Sequence, residues 1–473
     1  MFVKKVKFVR IMNWNKIVIL LLCLSLLACG GGSSVSDQDK DDNAGDDRRS
    51  AFSVSGSVVV NGGDGVAGIQ ISYGDAEPTQ TDVNGLWSVA ELEGETIIAP
   101  VSENYTFSPV QVAVAATSQN IEFTASLIES PVEIERYVEK INNWFNNQQV
   151  ANGLVASAEN SKFVSLYDNA LAALVFINNG NIANAEKVFD HFNARIDTEL
   201  LAGEGGFSQF RDTSGAHENH RWMGDNAWLL IALNHYKSTT GNGTYENLAE
   251  GIEDWLRSLQ DSGGGLWGGY DAEGELIGKN TEGIIDAYNA VRGYDDFHRD
   301  ILQYLENERW DSLDKNLMAT PGHPQFQYAL DLHSWAFSIF EDYPVTTLSD
   351  ADRFLTTKVS TASNENITGY CFDEDQDVVW LEGTGEMVVA FNVAGMESQA
   401  SIYLEEMEKL IIDSAIHEDS AGIPYAANPG TGFGDSDLWD LVDTVPVIPS
   451  SAWYLFGRSG FNPFSSGRNK NTP

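Results

Sequence analysis

The stretch from His220 to Tyr236, HRWMGDNAWLLIALNHY, constrains the fold more than any other part of the chain. A polar and aromatic head runs directly into a helical pattern whose residues 227–233 are all apolar. A helix that is apolar on every side is buried on every side, so this one needs other helices around it. Asp225 falls in its first turn, where the positive end of the helix dipole favours an anion. The stretch therefore predicts a buried helix whose polar start faces a functional site.

The same design recurs from residue 131 to residue 464, where amphipathic helices alternate with wholly apolar ones. The amphipathic helices are predicted to begin near Val132, Asn181, Asn247, Tyr294, Asp350 and Met396. The apolar helices are predicted to begin near Phe163, Arg221, Thr281, Tyr328, Leu381 and Pro449. Each amphipathic helix would belong to an outer ring and each apolar helix to an inner ring.

The links between these helices alternate in length. Links from an apolar to an amphipathic helix are mostly short, as at 178–180 and 394–395. Links in the other direction are long and rich in glycine and aromatic residues, as at 203–219, 262–279 and 414–446. This alternation predicts that all long loops lie at one rim, beside the starts of the inner helices, where long loops on a rigid scaffold commonly carry function.

Five phrases of this region, YDNALAALVF, GDNAWLLIAL, TEGIIDAYNA, LEGTGEMVVAF and PSSAWYLFGRSGFNPF, begin at or near inner helices. With the six helical hairpins, they resemble the six-hairpin glycosidase superfamily. The resemblance implies an all-α (α/α)6 toroid over residues 131–464, acting on carbohydrate, followed by a tail at 465–473. Because such folds also host phosphorylases, polysaccharide lyases and epimerases, the fold alone does not fix the chemistry.

Residues 51–128 have a different pattern, in which apolar residues alternate with polar ones and Asn84-Gly85 gives a hairpin signal. This predicts a small antiparallel β-sandwich of roughly seven strands. The phrases SGSVVVNGGDGVAGIQISY, TDVNGLWSV, YTFSPV and NIEFTA resemble the carboxypeptidase-regulatory-like (transthyretin-like) domain. No cluster of catalytic residue types occurs in it, so we expect a spacer or stalk, with glycan binding as the alternative. The predicted fold class is therefore multidomain, an antiparallel β-sandwich followed by an all-α toroid.

The N-terminus reads as a targeting segment. Five basic residues flank or precede an apolar run at 17–27, which ends in Leu26-Leu27-Ala28-Cys29. These four residues resemble the bacterial lipoprotein box, which implies that residues 1–28 are a signal peptide and that Cys29 is lipidated. Gly30 resembles the pattern for sorting to the outer membrane of a Gram-negative bacterium, whereas an ordinary secreted protein is the alternative. Residues 29–50 are too polar to fold and predict a tether.

The formal net charge of −41 excludes several partners. Removal of the predicted signal, which has five basic residues and no acidic one, leaves −46. Such a chain repels nucleic acid, and it is a poor partner for acidic glycans unless its cleft is locally basic. We expect a monomer that contacts the membrane only through its lipid anchor. Only Cys371 would remain as a free thiol, so no disulfide is expected, and no HExxH motif or close histidine pair predicts a metal or other cofactor.

The starts of the inner helices carry the candidate chemistry. Acidic side chains occur in five of the six, and tryptophan and tyrosine side chains lie near them, a combination that suits sugars. Cleavage of a glycosidic bond needs a proton donor and a second carboxylate. We predict Glu282 as the general acid and Asp225 as the base, with Glu382 as the main substitute. The predicted substrate-binding residues are Asp168, Trp222, Trp267, Tyr270, Asp331, His333, Trp335, Trp380, Glu386, Tyr425 and Trp453.

Three alternatives stay open at this point. The first-turn acids could act only as helix caps, and the tryptophans could be core residues. A polysaccharide lyase would need a tyrosine or histidine base and a cation, for which the candidates are His217, His220, Arg211, Arg221, His323 and His333. A non-catalytic glycan-binding or assembly lipoprotein could keep the same fold. Asp286, one turn beyond Glu282, is expected to be buried in a hydrogen-bonded network.

Overall fold

The computed structural model describes residues 51–468 and Lys470, apart from 61–62, 74–77, 93, 95, 103 and 128–130. The predicted signal peptide, Cys29 and the tether lie outside the described residues. Within the described part of the chain, no helix has the length and apolarity that crossing a membrane requires.

Two four-stranded sheets make up the N-terminal region, with strand orders β4-β1-β8-β6 and β3-β2-β5-β7. One apolar core, which includes Val58, Ile71, Ile98 and Phe123, contains residues from both sheets. The strands are β1 (Phe52–Val60), β2 (Gln70–Tyr73), β3 (Thr79–Gln80), β4 (Leu86–Leu92), β5 (Thr96–Val101), β6 (Tyr105–Ser108), β7 (Val112–Val114) and β8 (Ser118–Leu127).

The prediction that this region is wholly antiparallel is wrong for one strand pair. β1 and β8 run parallel, with Val58 opposite Phe123. They are the first and last strands of the region, so no tight hairpin fixes their relative direction, and the whole intervening chain serves as the crossover that parallel strands need. Period-two alternation indicates which residues face the core but carries no information on strand direction.

Between residues 131 and 459, the described chain contains twelve α-helices that alternate between two classes. They are α1 (Pro131–Gln148), α2 (Leu166–Asn178), α3 (Ile182–Asn193), α4 (Met223–Thr240), α5 (Glu246–Ser258), α6 (Thr281–Ala290), α7 (Asp296–Tyr304), α8 (Leu330–Ile339), α9 (Thr346–Asp350), α10 (Leu381–Val393), α11 (Glu397–Glu408) and α12 (Ile448–Ser459). The even-numbered helices are buried along almost their whole length. Each packs against the next even-numbered helix, and α12 packs against α2, so these six inner helices follow a closed cyclic order.

Short strands and single turns fill several loops. Two π-helical turns span Ile196–Leu200 and Leu305–Arg309, and a 3-10 turn spans Ala351–Phe354. The paired short strands are Phe163–Ser165 with Phe210–Asp212, Arg221–Trp222 with Gly269–Tyr270, Trp310–Asp311 with Asn316–Leu317, Leu355–Val359 with Asn366–Tyr370, Ile412–Asp413 with Ala421–Gly422, and Thr431–Gly432 with Ser436–Asp437.

Three predicted helix starts shift in the structure. Phe163 and Arg221 belong to short strands, and α2 and α4 begin only at Leu166 and Met223. Asp350, predicted as the start of an outer helix, is instead the last residue of the five-residue α9. Aromatic and β-branched residues favour strand pairing, which explains why the two inner helices begin later than their apolar pattern does.

The predicted tail is also different, because its first residues form a helix that closes one end of the ring. α13 (Ser465–Arg468) packs against α4, α6 and α8. The preceding Phe464 is fully buried, and its carbonyl oxygen accepts a hydrogen bond from Asn289 at 3.0 Å. The segment 464–468 therefore packs over the last turns of α6 and α8, at Asn289 and Phe337.

Glycines allow α10 to pack closely against its neighbours. A Cβ atom at Gly385 would lie 2.7 Å from Trp453 Cβ and 3.2 Å from the Trp453 carbonyl carbon, neither of which can rotate away. At Gly283 in α6, an added Cβ atom would meet mainly the flexible end of Met223, at 2.7 Å from Cε.

We therefore predict that Gly385→Ala lowers the free energy of unfolding by about 1–3 kcal/mol, the usual effect of overpacking a core. Gly283→Ala is the matched control, since the Met223 side chain can move and alanine favours a helix by about 0.5–1 kcal/mol over glycine. Urea unfolding followed by circular dichroism measures both. Equal destabilisation by the two substitutions would show that the α10–α12 contact is not specially close.

Candidate active site

A cavity of about 1110 Å³ opens where the inner helices begin. Its walls come from the starts of all six inner helices and from the loops at 203–219 and 414–446. The third long loop, 262–279, is tied to the same rim because Gly269–Tyr270 pairs with Arg221–Trp222, directly before α4. The long loops named in the sequence prediction thus surround the helix starts that the prediction assigned to them.

Two Asp-Asn pairs begin α2 and α4, and their asparagines occupy equivalent positions. Asn169 accepts a hydrogen bond from the Val155 amide at 2.9 Å and donates one to the Val155 carbonyl at 3.1 Å. Asn226 makes the same two bonds with Phe207, at 2.8 and 3.0 Å. Each asparagine ties the preceding loop to its helix, and the aspartate before it lines the cavity. Ser165, rather than Asp168, is the residue that caps α2.

The structure brings ten of the predicted site residues together in the cavity wall. They come from five inner helices or the residues directly before them, and from the 414–446 loop. They are Asp168, Trp222, Asp225, Glu282, Asp331, Trp335, Trp380, Glu382, Glu386 and Tyr425.

Four predicted binding residues do not line the cavity: Trp267, Tyr270, His333 and Trp453. His333 is fully buried against Phe354, with Nδ1 at 3.0 Å from the Ala329 carbonyl oxygen, and burial lowers its pKa to about 4. It is a neutral core histidine. The Trp267 ring instead lies against the Lys279 ammonium, at 5.6 Å, and Tyr270 lies in the short strand pair of the rim.

Tyr167 is the main residue that the sequence interpretation missed. It lines the cavity, and its hydroxyl donates a 2.7 Å hydrogen bond to Glu382 Oε1. Its place directly before Asp168, in the first turn of an inner helix, was the available signal. Phe372 and Trp439 were missed as well, and they extend an aromatic wall that includes Trp380, stacked on Phe372 with ring centroids 4.1 Å apart.

Burial raises the pKa of each of the seven carboxyl groups that the inner helices contribute to this cavity, and in most cases the neighbouring carboxylates raise it further. The pKa of Asp331 rises to about 6, that of Asp168 to about 7, and those of Asp225 and Glu382 to about 8. The groups whose pKa lies well above the ordinary range are Glu282, Asp286 and Glu386.

Glu382 differs from the other acids because a fixed donor serves it. The Trp453 indole N–H donates to the Tyr167 oxygen at 3.1 Å, and an indole can only donate. The Tyr167 hydroxyl must therefore direct its own proton to Glu382 Oε1. This bond lowers the pKa of Glu382 against the larger effect of burial, and contacts with Tyr425 and Trp380 act in the same direction.

Glu282 has the opposite surroundings. No described residue donates a hydrogen bond to its side chain, and the pKa of its carboxyl is raised by burial, then by Asp331, Asp225 and Glu382. Unlike Glu382, which is almost completely buried, Glu282 is partly exposed to the cavity. The protonated form of Glu282 is therefore favoured, and an incoming molecule can reach it.

Asp286 is fully buried, but the expected hydrogen-bonded network around it is absent. Neither of its oxygens has a partner with hydrogen-bond geometry among the described residues, although the Trp228 indole lies close enough to lower its pKa slightly. Burial and then Glu282 raise its pKa well above the ordinary range, which favours the protonated form. Nearby, the Ser334 hydroxyl lies 3.1 Å from Glu386 Oε2 and 3.2 Å from the Asp331 carbonyl oxygen. A protonated Glu386 lets both contacts be hydrogen bonds.

Positive charge is absent from the described cavity wall, which contains no lysine, arginine or histidine. The six residues considered for a lyase all lie elsewhere: His217, His220, Arg211, Arg221, His323 and His333. Arg211, for example, is buried in an ion pair with Glu199 at 2.8 Å, and Arg221 donates to the Asn219 side chain at 2.6 Å.

Metal-ligand geometry occurs among the described residues only outside the cavity, at Cys371, Asp373 and Asp375. The Asp373 and Asp375 carboxylates accept hydrogen bonds from backbone amides, including those of Gly434 and Asp377. These bonds account for the cluster as a loop-stabilising structure. No three cavity carboxylates bring ligand oxygens within 4.8 Å of one another.

No protein-family model matches the sequence, and no curated protein matches it. Solved structures do match: two glycosidase variants with 13% identity, covering 71% of this chain and 100% of theirs, at TM-scores of 0.51 and 0.50. An α-amylase from Clostridium perfringens matches with 10% identity, 69% of this chain, 98% of its own and a TM-score of 0.50. At such identities the likeness concerns the fold alone, and it is consistent with a six-hairpin glycosidase-type fold.

We predict that the carboxyl cluster makes the protein less stable as the pH rises. Since the folded-state pKa values exceed the unfolded ones, the folded protein holds more protons. The contribution of the cluster is therefore complete below about pH 4, the unfolded pKa, and it is lost towards about pH 8, the value for Asp225 and Glu382. Between its unfolded and folded pKa values, each group lowers the free energy of unfolding by about 1.4 kcal/mol per pH unit as the pH rises.

Denaturant unfolding between pH 5 and pH 8 measures this loss. Glu386→Gln removes one buried ionisable group and should flatten the pH profile by up to about 1.4 kcal/mol per pH unit. Glu397→Gln, in the first turn of the outer helix α11, is the exposed control and should keep the wild-type slope. A wild-type stability that rises over this range would contradict the raised pKa values.

Proposed function

We propose that this protein is a glycoside hydrolase and that its helical region is an (α/α)6 toroid of the six-hairpin glycosidase superfamily. The closed order of inner helices and the cavity at their starts support the assignment of the fold. The shared fold with glycosidases and an α-amylase supports the choice of carbohydrate as substrate.

One observation carries the proposed chemistry: two carboxyl groups of one cavity have opposite hydrogen-bonding environments. Glu382 receives a donor whose direction is fixed by Trp453, which stabilises the ionised form. Glu282 receives none, and burial with neighbouring negative charge keeps it protonated. Acid and base roles in glycosidases are divided by such differences in environment.

In this proposal, Glu282 gives its proton to the glycosidic oxygen as the bond to the anomeric carbon breaks. Glu382 either removes a proton from the attacking water or attacks the anomeric carbon itself. The sequence interpretation placed Asp225 in the second role and Glu382 behind it. The one side-chain donor to Asp225 is Gln209, at 3.5 Å from Oδ1, and Oδ2 has no partner with hydrogen-bond geometry among the described residues. Backbone amides lower the pKa of Asp225 less than burial and Asp168 raise it, so the shorter, oriented donor of Tyr167 favours Glu382.

The two alternatives from the sequence have less support. A lyase needs a cation against the uronate carboxylate, and the described cavity wall has none. A glycan-binding protein without catalysis has no need for seven carboxyl groups with raised pKa values in one cavity, five of them buried, because ionising them there destabilises the fold. We further propose that the enzyme works in the cell envelope through a lipid on Cys29, for which the N-terminal sequence is the support.

Amide substitutions test the assigned pair. Glu282→Gln and Glu382→Gln keep the side-chain size and remove proton transfer, so we predict that each lowers kcat by about 10²–10⁴-fold. The assay is a panel of polysaccharides and oligosaccharides, read for new reducing ends and for absorbance of unsaturated uronates. Glu397→Gln is the matched control on an outer helix, and it should keep the wild-type kcat.

The outcomes separate the hypotheses. Unsaturated products would establish a lyase, and binding without turnover of any glycan would establish a binding protein. Near-wild-type activity of Glu382→Gln together with an inactive Asp225→Asn would assign the role of base or nucleophile to Asp225 instead of Glu382.

The donor chain gives a second prediction. Glu382 must be ionised to act, so kcat/KM should rise with pH and level off near its pKa, about 8. Tyr167→Phe removes the donor that stabilises the ionised form, so this limb should move to higher pH. In the same profile, Glu282→Gln should remove the fall of kcat/KM at high pH, because that fall comes from loss of the Glu282 proton. An unmoved acid limb in Tyr167→Phe would mean that another residue is the base.

A further inference from the structure

The described cavity wall contains no side chain that can carry a positive charge. Nine acidic residues contribute to it and no basic ones: Glu159, Asp168, Asp225, Glu282, Asp286, Asp331, Glu382, Glu386 and Asp440. Among nearby cations, Lys279 is paired with Asp261 at 2.7 Å and Arg211 with Glu199 at 2.8 Å, whereas Lys162 is exposed and does not line the cavity. A bound anion would thus find no described counterion in the wall, and it would repel every carboxyl group there that is ionised, Glu382 among them in the proposed reaction.

The unpartnered polar atoms of the same wall show what it can bind. Several carboxyl oxygens lack a hydrogen-bond partner among the described residues: Asp225 Oδ2, Asp286 Oδ1 and Oδ2, Asp331 Oδ1 and Glu386 Oε1. Three indole N–H groups also lack a partner with hydrogen-bond geometry, those of Trp228, Trp335 and Trp380, although Trp228 lies near Asp286 and Trp380 near Glu382. The wall therefore offers both acceptors and donors. A hydroxyl group can satisfy either kind, whereas an ionised carboxylate or sulfate can only accept.

From these two observations we propose that the cavity selects sugars without negative charge and excludes uronic acids and sulfated sugars at the cleavage site. Uncharged hydroxyl groups complete the hydrogen bonds of the wall, and the tryptophan faces cover the apolar faces of the ring. A carboxylate at the same place would be desolvated beside carboxyl groups, two effects that both oppose binding. This inference rests on the proposed hydrolase function and narrows its substrate class.

The test uses two oligosaccharides of the same linkage that differ only at C6, one with a hydroxymethyl group and one with a carboxylate. The linkage is the one cleaved best in the substrate panel or, if none is cleaved, the one bound best. We expect kcat/KM for the uncharged compound to exceed that for the uronate on the order of 10²-fold, because like charges at an interface are strongly unfavourable. Uronate cleavage within tenfold of the uncharged compound would overturn the proposal and leave the hydrolase assignment intact.

A charge introduced at the cavity gives an internal control. Ile416 lines the cavity and is 52% exposed, while Ile402 lies on α11, outside the cavity wall, and is 53% exposed. Ile416→Lys and Ile402→Lys change the net charge equally. Only Ile416→Lys should lower the ratio of kcat/KM for the uncharged compound to that for the uronate, by about tenfold. The attraction between the new ammonium and the uronate carboxylate falls off within a Debye length of ~8–10 Å. An equal effect of both variants would assign the selectivity to overall charge and overturn the role of the cavity.

Binding separates this inference from the hydrolase assignment. Calorimetric titration of Glu282→Gln with both oligosaccharides reports selection without cleavage. Binding of the uncharged compound alone supports the proposal even if no substrate is hydrolysed, in which case only the hydrolase assignment fails. Equal binding of both compounds, or binding of neither at millimolar concentration, would overturn it.

Discussion

The helical region depends on an aromatic cluster on the axis of its ring. Trp228, Trp335 and Trp453 come from three different inner helices, and their ring centroids lie 5.2–6.3 Å apart. Phe464, from the C-terminal segment, packs against all three. These large rings are buried between the inner helices, where aromatic side chains remove a large apolar area from water. Trp228 and Trp335 also line the cavity, so the cluster is both the centre of the core and the cavity floor.

The cavity above this floor is costly for the fold. Carboxyl groups buried together without cations raise one another's pKa, and ionising them is unfavourable. Yet the proposed reaction needs one of them ionised beside another that keeps its proton. The structure meets this requirement locally, with a tyrosine hydroxyl on Glu382 and none on Glu282. The unfavourable burial of these acids is offset by a large apolar core, in which the inner helices are almost entirely buried.

Trp453 shows how core and chemistry are connected. It packs within the aromatic cluster, while its indole N–H sets the direction in which Tyr167 donates. The sequence predicted that this tryptophan contacts substrate. In the structure it acts one residue removed from the cavity, by orienting a side chain that lines it.

The sequence alone determined the features that depend on neighbours along the chain. Hydrophobic periodicity predicted the paired helices, and the acids in their first turns predicted which ends form the cavity, because a helix places such residues at a known end. Five of the ten predicted residues in the cavity wall, the acids Asp168, Asp225, Glu282, Asp331 and Glu382, lie there for this reason. The tertiary structure alone decided what depends on contacts across the ring. Tyr167 and Glu382 are 215 residues apart, and Tyr167 and Trp453 are 286 apart. Closure of the ring brings together residues that no local pattern relates. It decides which acid receives a hydrogen-bond donor, that His333 faces the core, and that the segment 464–468 packs against the inner helices.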